Sequence, residues 1–227
     1  MAEQRVEAVE RALTILEAFR EGHESLTLAE IAKATGFYKS TILRLIGSLE
    51  RFGYLRRRED GRYQLGPSLW RLGSLYRRNF DLGEHIRPEL RRLVEETGET
   101  ASFYVREGEQ RVCLYRQNSP QPMRHHLDEG VRLTLDQGAA GRVLLAHAGA
   151  SGAPYDAVRT DGWYASLGER DSNIAAVAVP LFDGVGSLRG ALAVSGLITR
   201  FDERARLAAV AALKESAKRL SPLLPRE

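Results

Sequence analysis

The sequence predicts an α+β chain in which short helices and a basic hairpin are followed by a longer helix, then by a mostly antiparallel sheet flanked by helices. Three observations carry that reading. Apolar residues recur at helical spacing through the first 50 positions, between capping and glycine signals. An Asp60-Gly61 turn then sits inside an arginine-rich run that alternates apolar and polar residues. Beyond Gly98 the apolar period changes from 3.6 to 2, the repeat of strands rather than helices.

In chain order, Val6, Val9, Leu13 and Leu16, widened by Ala12 and Phe19, make an amphipathic stripe over about residues 5–20. Thr27 and Glu30 form a capping-box pair, in which hydroxyl and carboxylate each satisfy an orphaned backbone N–H. The helix that starts there carries Leu28, Ile31 and Ala32 inward and stops at Gly36, where a left-handed terminus is expected. Another begins near Tyr38, with Ile42, Leu43, Ile46 and Leu49 on its packed face and Lys39, Ser40, Thr41 and Arg44 on the other. Residues 53–66, GYLRRREDGRYQLG, read as a tight hairpin bracketed by Tyr54, Leu55, Tyr63 and Leu65 and decorated by Arg56, Arg57, Arg58 and Arg62. A helix over about Leu82–Thr97 ends at Gly98. Thr100–Arg106 and Arg111–Gln117 alternate about a Glu107-Gly108 turn, Ile174–Phe182 and Leu188–Leu197 form a second strand pair, and Asp202 opens a last helix.

Composition narrows the function classes. With 43% hydrophobic and 28% charged residues over 227 positions, the chain is that of a folded protein. It lacks any run of about 18 uncharged apolar residues, and MAEQRVEAVERAL has no signal-peptide core, so a cytoplasmic protein without membrane partners is expected. The single Cys113 excludes an internal disulfide, a cysteine-rich zinc site and a two-thiol relay; on a strand it reads as a small core residue. His125-His126 with Asp128 and Glu129 is read as no metal site, because neighbours on a strand point to opposite faces. Neither a metal nor another cofactor is expected.

Charge is unevenly spread. Residues 1–80 hold 14 Lys/Arg to 10 Asp/Glu, and residues 33–62 hold 8 to 3. A basic stretch of this kind is either a solvated face or the footprint of a polyanion. Its arrangement decides: a short helix, a glycine turn and a helix with a polar, basic start is the helix-turn-helix layout, and a basic two-stranded ribbon directly after it is a wing. The second helix would lie in the major groove of double-stranded DNA, with Arg44 able to pair bidentately with guanine. Lys39, Ser40 and Thr41 can contact phosphate or bases, and Arg57 and Arg62 reach phosphate or the minor groove from the wing.

These segments resemble the IclR-type bacterial transcriptional regulators. The matching stretches in the front part are Val9–Phe19, Leu26–Leu55 and Asp60–Gly73; in the rear they are Arg87–Val105, Gly138–Ala146, Gly162–Arg170 and Ala176–Gly196. The resemblance implies a winged helix-turn-helix over 1–66, a linker helix over 67–80 and a GAF-like effector-binding domain over 81–227. It also implies a homodimer or homotetramer, a palindromic operator, and a small organic acid or aromatic metabolite as effector. Ala139 and Ala140 match backbone contacts to effector, Ser195 a hydroxyl that holds it, and Ser166 a polar position; Met123, Trp163 and Tyr104 either line the pocket or fill the core. Four features depart from the pattern: Tyr38 replaces a common proline at the recognition helix, Asp136 a common histidine, Ala176 a common cysteine, and only HAGASGAPYDAVRTD separates the GAAGRVLLA and GW segments, so a shortened pocket cover is expected. The competing class is an enzyme on the same fold acting on a small acid. A reductase of that kind needs several cysteines and a hydrolase a nucleophile turn, and Ser195 lies in no GxSxG-like sequence.

Overall fold

A computed structural model of the chain describes residues 6–20, 22–79 and 82–224. The chain divides into two compact units, Met1–Phe80 and Asp81–Glu227. The expected ends of the first helix at residue 5 and of the linker helix at Phe80 lie outside the described residues.

In the first unit, α1 (Glu7–Leu16), α2 (Leu28–Thr35) and α3 (Lys39–Arg51) pack around Ile15, Ile31, Ile42, Ile46 and Leu55. The capping box forms as its spacing predicts: Thr27 N donates to Glu30 Oε2 at 2.7 Å and Glu30 N to Thr27 Oγ1 at 3.2 Å, and Gly36 ends α2 in the left-handed conformation. Two predicted faces shift. On α1 the buried stripe is Ala12, Ile15, Leu16 and Phe19, whereas Val6, Val9 and Leu13 are exposed, because the helix carries two apolar stripes and only one meets α3. On α3 Leu45 takes the core place expected of Leu43, which is 48% exposed; residues 42, 45, 46 and 49 share one helical face and residue 43 is turned about 100° from residue 42. Strands β1 (Ser25–Leu26), β2 (Leu55–Arg57) and β3 (Tyr63–Leu65) form a sheet in the order β1-β3-β2. The hairpin is present, but its loop is longer than a two-residue turn: Gly61 N donates to Arg58 O and Arg58 N to Arg62 O, with Gly61 at φ +79° after the turn. That is the form in which a glycine in the left-handed region closes a three-residue loop as a bulge. Helix α4 follows over Pro67–Asn79.

The second unit is a six-stranded antiparallel sheet in the order β6-β5-β4-β9-β8-β7. Its strands are β4 (Thr100–Glu107), β5 (Gln110–Gln117), β6 (Arg132–Thr134), β7 (Tyr164–Leu167), β8 (Ile174–Phe182) and β9 (Leu188–Leu197). A register shift at Phe103/Tyr104 separates two faces cleanly. Phe103 stacks on Tyr115, which lies against α5 (Gly83–Thr97) on the face shared with α8 (Glu203–Leu220). Tyr104, Cys113, Ala178, Ala191 and Ala193 form the other face, covered by α6 (Ala139–His147) and α7 (Tyr155–Asp161). The segment expected to be a shortened cover thus contains a seven-residue helix of its own.

Candidate functional site

In the first unit the polar face of α3 is open. Tyr38, its N-cap, is 86% exposed, Lys39, Ser40 and Arg44 are exposed, and Thr41 is half-buried. No side chain caps this helix start, so its N–H groups remain available to an anion. The wing arginines differ from one another. Arg57 is exposed and lies over the Tyr63 ring at 5.9 Å. Arg62 is engaged inside the unit: Nη2 donates to Ser25 O and to Glu30 Oε2, both at 2.8 Å, and Nε to Ser25 Oγ at 3.2 Å. Its guanidinium therefore ties the wing to the capping box of α2 rather than pointing outward.

In the second unit a cleft opens between the small-residue face of the sheet and the head of α6, with about 540 Å³ of atom-free space including its mouth. The register builds its floor. Ser166 on β7 pairs with Ala176 on β8, Ala176 with Ser195 on β9, and Ser195 with Thr100 on β4; one step along, Ala193 pairs with Ser102. Side chains two apart share a face, so these hydroxyls and methyls leave space under α6. Ala139, Ala140, Ser166 and Ser195 all line the cleft, as does Ala176. Met123 and Trp163 do not; Met123 is 71% exposed, and its carbonyl accepts from Arg200. Tyr104 does line it, and burial raises its phenol pKa to about 12, so it stays a neutral donor.

Helix α6 begins without a side-chain cap of its own. Glu169 accepts from Gly138 N at 3.0 Å and from Tyr164 Oη at 2.9 Å, and pairs with Arg142. The N–H groups of Ala139 and Ala140 follow at the cleft wall. Gly141 is small for a reason other than ligand approach: a Cβ there would stand 2.3 Å from Leu135 O and 2.4 Å from Arg111 Nη1.

Five polar cleft residues, Ser102, Arg111, His125, Arg170 and Asp171, escaped the sequence reading as binding groups. Arg111 on β5 is 3% exposed; its Nη1 donates to Thr134 O and Gln137 O, its guanidinium lies over Tyr104, and its Nε has no hydrogen-bond partner. Burial lowers its pKa, and Arg170 lowers it further. His125 lies in a loop rather than the strand assumed for it, and its Nε2 meets Arg170 Nη2 at 2.7 Å. Burial, with Arg170 and Arg116, holds its pKa down to about 4, so at neutral pH it is an uncharged acceptor. Ser102 accepts from Arg116 Nη1 at 3.1 Å. The signal for Arg111 was its spacing: it stands two residues before Cys113, on the inward face of an alternating strand. Cys113 itself is fully buried, and burial raises its thiol to about 11.

The His125 environment has a pH consequence. Unfolded, the imidazole takes a proton near 6.5; folded, only near 4. Stability is therefore expected to fall as pH drops from about 6.5 to about 4. His125→Gln should flatten that part of a melting-temperature profile, and an unchanged slope in the variant would remove His125 as its source.

Among the described residues no helix is long and apolar enough to cross a membrane, and no cluster of His, Cys, Asp and Glu could hold a metal ion.

Comparison with known proteins bears on both units. The family model for the IclR helix-turn-helix domain matches residues 8–59, and that for the bacterial transcriptional regulator IclR C-terminal region matches 75–155 and 153–222, two pieces meeting at the shortened segment. The HTH-type transcriptional regulator BhcR of Paracoccus denitrificans is 30% identical over 95% of this chain and 86% of its own length. An IclR transcriptional regulator from Alicyclobacillus acidocaldarius superposes with a TM-score of 0.77 at 27% identity, covering 96% of this chain and 98% of the other. An IclR homologue from Microbacterium hydrocarbonoxydans, crystallised with 4-hydroxybenzoate, shares the fold with a TM-score of 0.76 at 23% identity over 95% and 98% of the two chains. With a basic helix-turn-helix face in one unit, a cleft lined by arginine and serine side chains in the other and family matches over both, the chain belongs to the IclR family of bacterial transcriptional regulators.

Proposed function

We propose that this regulator binds a palindromic operator as a homodimer or higher homo-oligomer, and that a small organic anion seated in the cleft of the second unit alters that binding. The observation that supports the anion is Arg111. A buried guanidinium with an unsatisfied Nε stands at the head of a helix, the positive end of its dipole, and among the described residues it has no carboxylate in ion-pair contact. Asp136 acts on the guanidinium without touching it, so a contacting anion is what the arrangement lacks. Ala139 and Ala140 offer N–H groups to the same anion, and Ser166 and Ser195 hydroxyls orient the rest of the molecule. That a protein of this fold accommodates 4-hydroxybenzoate agrees with a carboxylate ligand. The role is binding without turnover, in the cytoplasm: the buried, high-pKa Cys113 is a poor nucleophile, and no serine of the cleft has a histidine hydrogen-bonded to it among the described residues.

On DNA, Lys39, Ser40, Thr41 and Arg44 enter the major groove with Tyr38 at the leading edge, and Arg57 meets phosphate. Helix α4 is the covalent path between the units and hence the transmitter. For regulation the effector must bind one placement of the DNA-binding units better than another, since equal affinity shifts nothing.

A thermal-shift screen of aromatic and aliphatic organic acids tests the effector. An acid at 100 times its Kd adds about 2.7 kcal/mol of stability; an acid that stabilises the protein yet leaves operator binding unaltered would count against its being the effector. The two wing arginines separate in a second measurement. Arg57→Ala is expected to weaken binding to all duplexes and to lower the salt dependence by about one counterion. Arg62→Ala is expected to lower the melting temperature while keeping that slope, because its partners are Ser25 and Glu30. A salt slope that falls with Arg62→Ala and not with Arg57→Ala would reverse the assignment.

A further inference from the structure

The cations around the cleft outnumber what a simple acid requires. Arg111 and Arg170 line it, Arg116 reaches the lining Ser102 from beside it, and every side-chain hydrogen bond these three guanidiniums make among the described residues goes to a neutral acceptor, the Arg116 backbone N–H alone donating to Glu129. Arg111 uses the carbonyls of Thr134 and Gln137; Arg116 uses Ser102 Oγ, Asn118 Oδ1 and the His125 carbonyl. Arg170 uses the imidazole of His125, which is uncharged at neutral pH. Asp171 is the sole carboxylate among the lining residues, and its Oδ1 already accepts from Asn173 N at 3.0 Å. Glu169 is matched by Arg142 and by the Gly138 N–H. The lining thus sets two guanidiniums against one carboxylate, with Asp136 acting on Arg111 from outside it, and the two cationic points stand at separate places: Arg111 is buried on β5 at the head of α6, and Arg170 is exposed in the loop after β7.

Resting on the reading of this cleft as the effector site, we propose that the effector is a dianion, specifically a dicarboxylate. One carboxylate takes Arg111 and the N–H groups of Ala139 and Ala140; the other takes Arg170. His125 keeps Arg170 in place by accepting a hydrogen bond without neutralising it, so the guanidinium retains both its position and its charge for the ligand. A carboxylate of the protein in place of His125 would have cancelled the second charge.

Titration calorimetry of the full-length protein at pH 7.5 and fixed ionic strength reads the second charge directly, using succinate against butyrate and terephthalate against benzoate. In at least one pair the dicarboxylate is expected to bind about tenfold or more tighter, the worth of one charge-assisted contact. Arg170→Gln, which still donates to His125, is expected to bring that dicarboxylate down to its monoacid while leaving the monoacid unchanged. Equal affinities in both pairs, equal loss of both acids in Arg170→Gln, or no binding by either dicarboxylate overturns the dianion. Ala140→Trp separates the two readings: it should block every acid that binds the native protein, and tight dicarboxylate binding that survives it overturns the cleft itself as the effector site.

Discussion

Arg44→Ala is expected to weaken binding to duplexes selected by the native protein by roughly tenfold to a hundredfold, with little loss on random duplexes. A bidentate arginine–guanine contact is worth about 1–3 kcal/mol of discrimination, and a phosphate contact carries none. Arg44 is placed for the former. It is exposed on α3, one turn beyond Ser40, on the side away from Ile42, Leu45, Ile46 and Leu49. Because none of those core residues changes, the variant should melt with the native protein, and the effect belongs to recognition. Selection from random sequence with the variant should show relaxed preference at one position in each half-site. Equal losses on selected and random DNA would make Arg44 a phosphate contact and shift base reading toward Tyr38, which projects from the N-cap where a proline would have been silent.

Local chemistry made parts of this molecule legible in the sequence. The Thr27/Glu30 capping box, the Gly36 terminus and the Asp202 cap are completed within a few residues, so their patterns survive folding unaltered. The errors have a common physical source in partners distant along the chain. Leu43 and the Val6/Val9/Leu13 stripe are apolar at helical spacing, but which of two apolar faces is buried depends on the neighbour that arrives. Strands β1, β6 and β7 have 2, 3 and 4 residues, too few to show alternation, and exist through their pairing with β3, β5 and β8. The cleft is the extreme case. Ser102, Ser166, Ala176 and Ser195 lie on four strands and meet only through their register, so the serines on β7 and β9 were reached by family resemblance and not by spacing. Arg111 had only its face on β5 as a signal and His125 was read as a strand residue, because each gains its role from partners distant along the chain, the head of α6 for one and Arg170 for the other.

Ala140→Trp is expected to yield a protein that binds operator and no longer responds to effector. Ala140 is 5% exposed, sits in the first turn of α6 and lines the cleft, so an indole there must fill the space that a ligand would occupy. The DNA-binding unit has its own core around Ile15, Ile31, Ile42 and Leu55, with its own sheet. Ligand-free DNA affinity should therefore stay within a few-fold of native, while effector-induced stabilisation and the effector-induced change in DNA affinity both vanish. Overpacking costs about 1–3 kcal/mol on its own, so the melting temperature is read beside Ser195→Ala. That change removes only a hydroxyl from β9 and should weaken effector binding about tenfold without overpacking. The two variants bracket the site from opposite walls. If Ala140→Trp folds and still responds to effector, or if Ser195→Ala leaves affinity for effector at the native value, the ligand lies elsewhere in the second unit; loss in both, with operator binding kept, ties the response to the floor and the helix head of this one cleft.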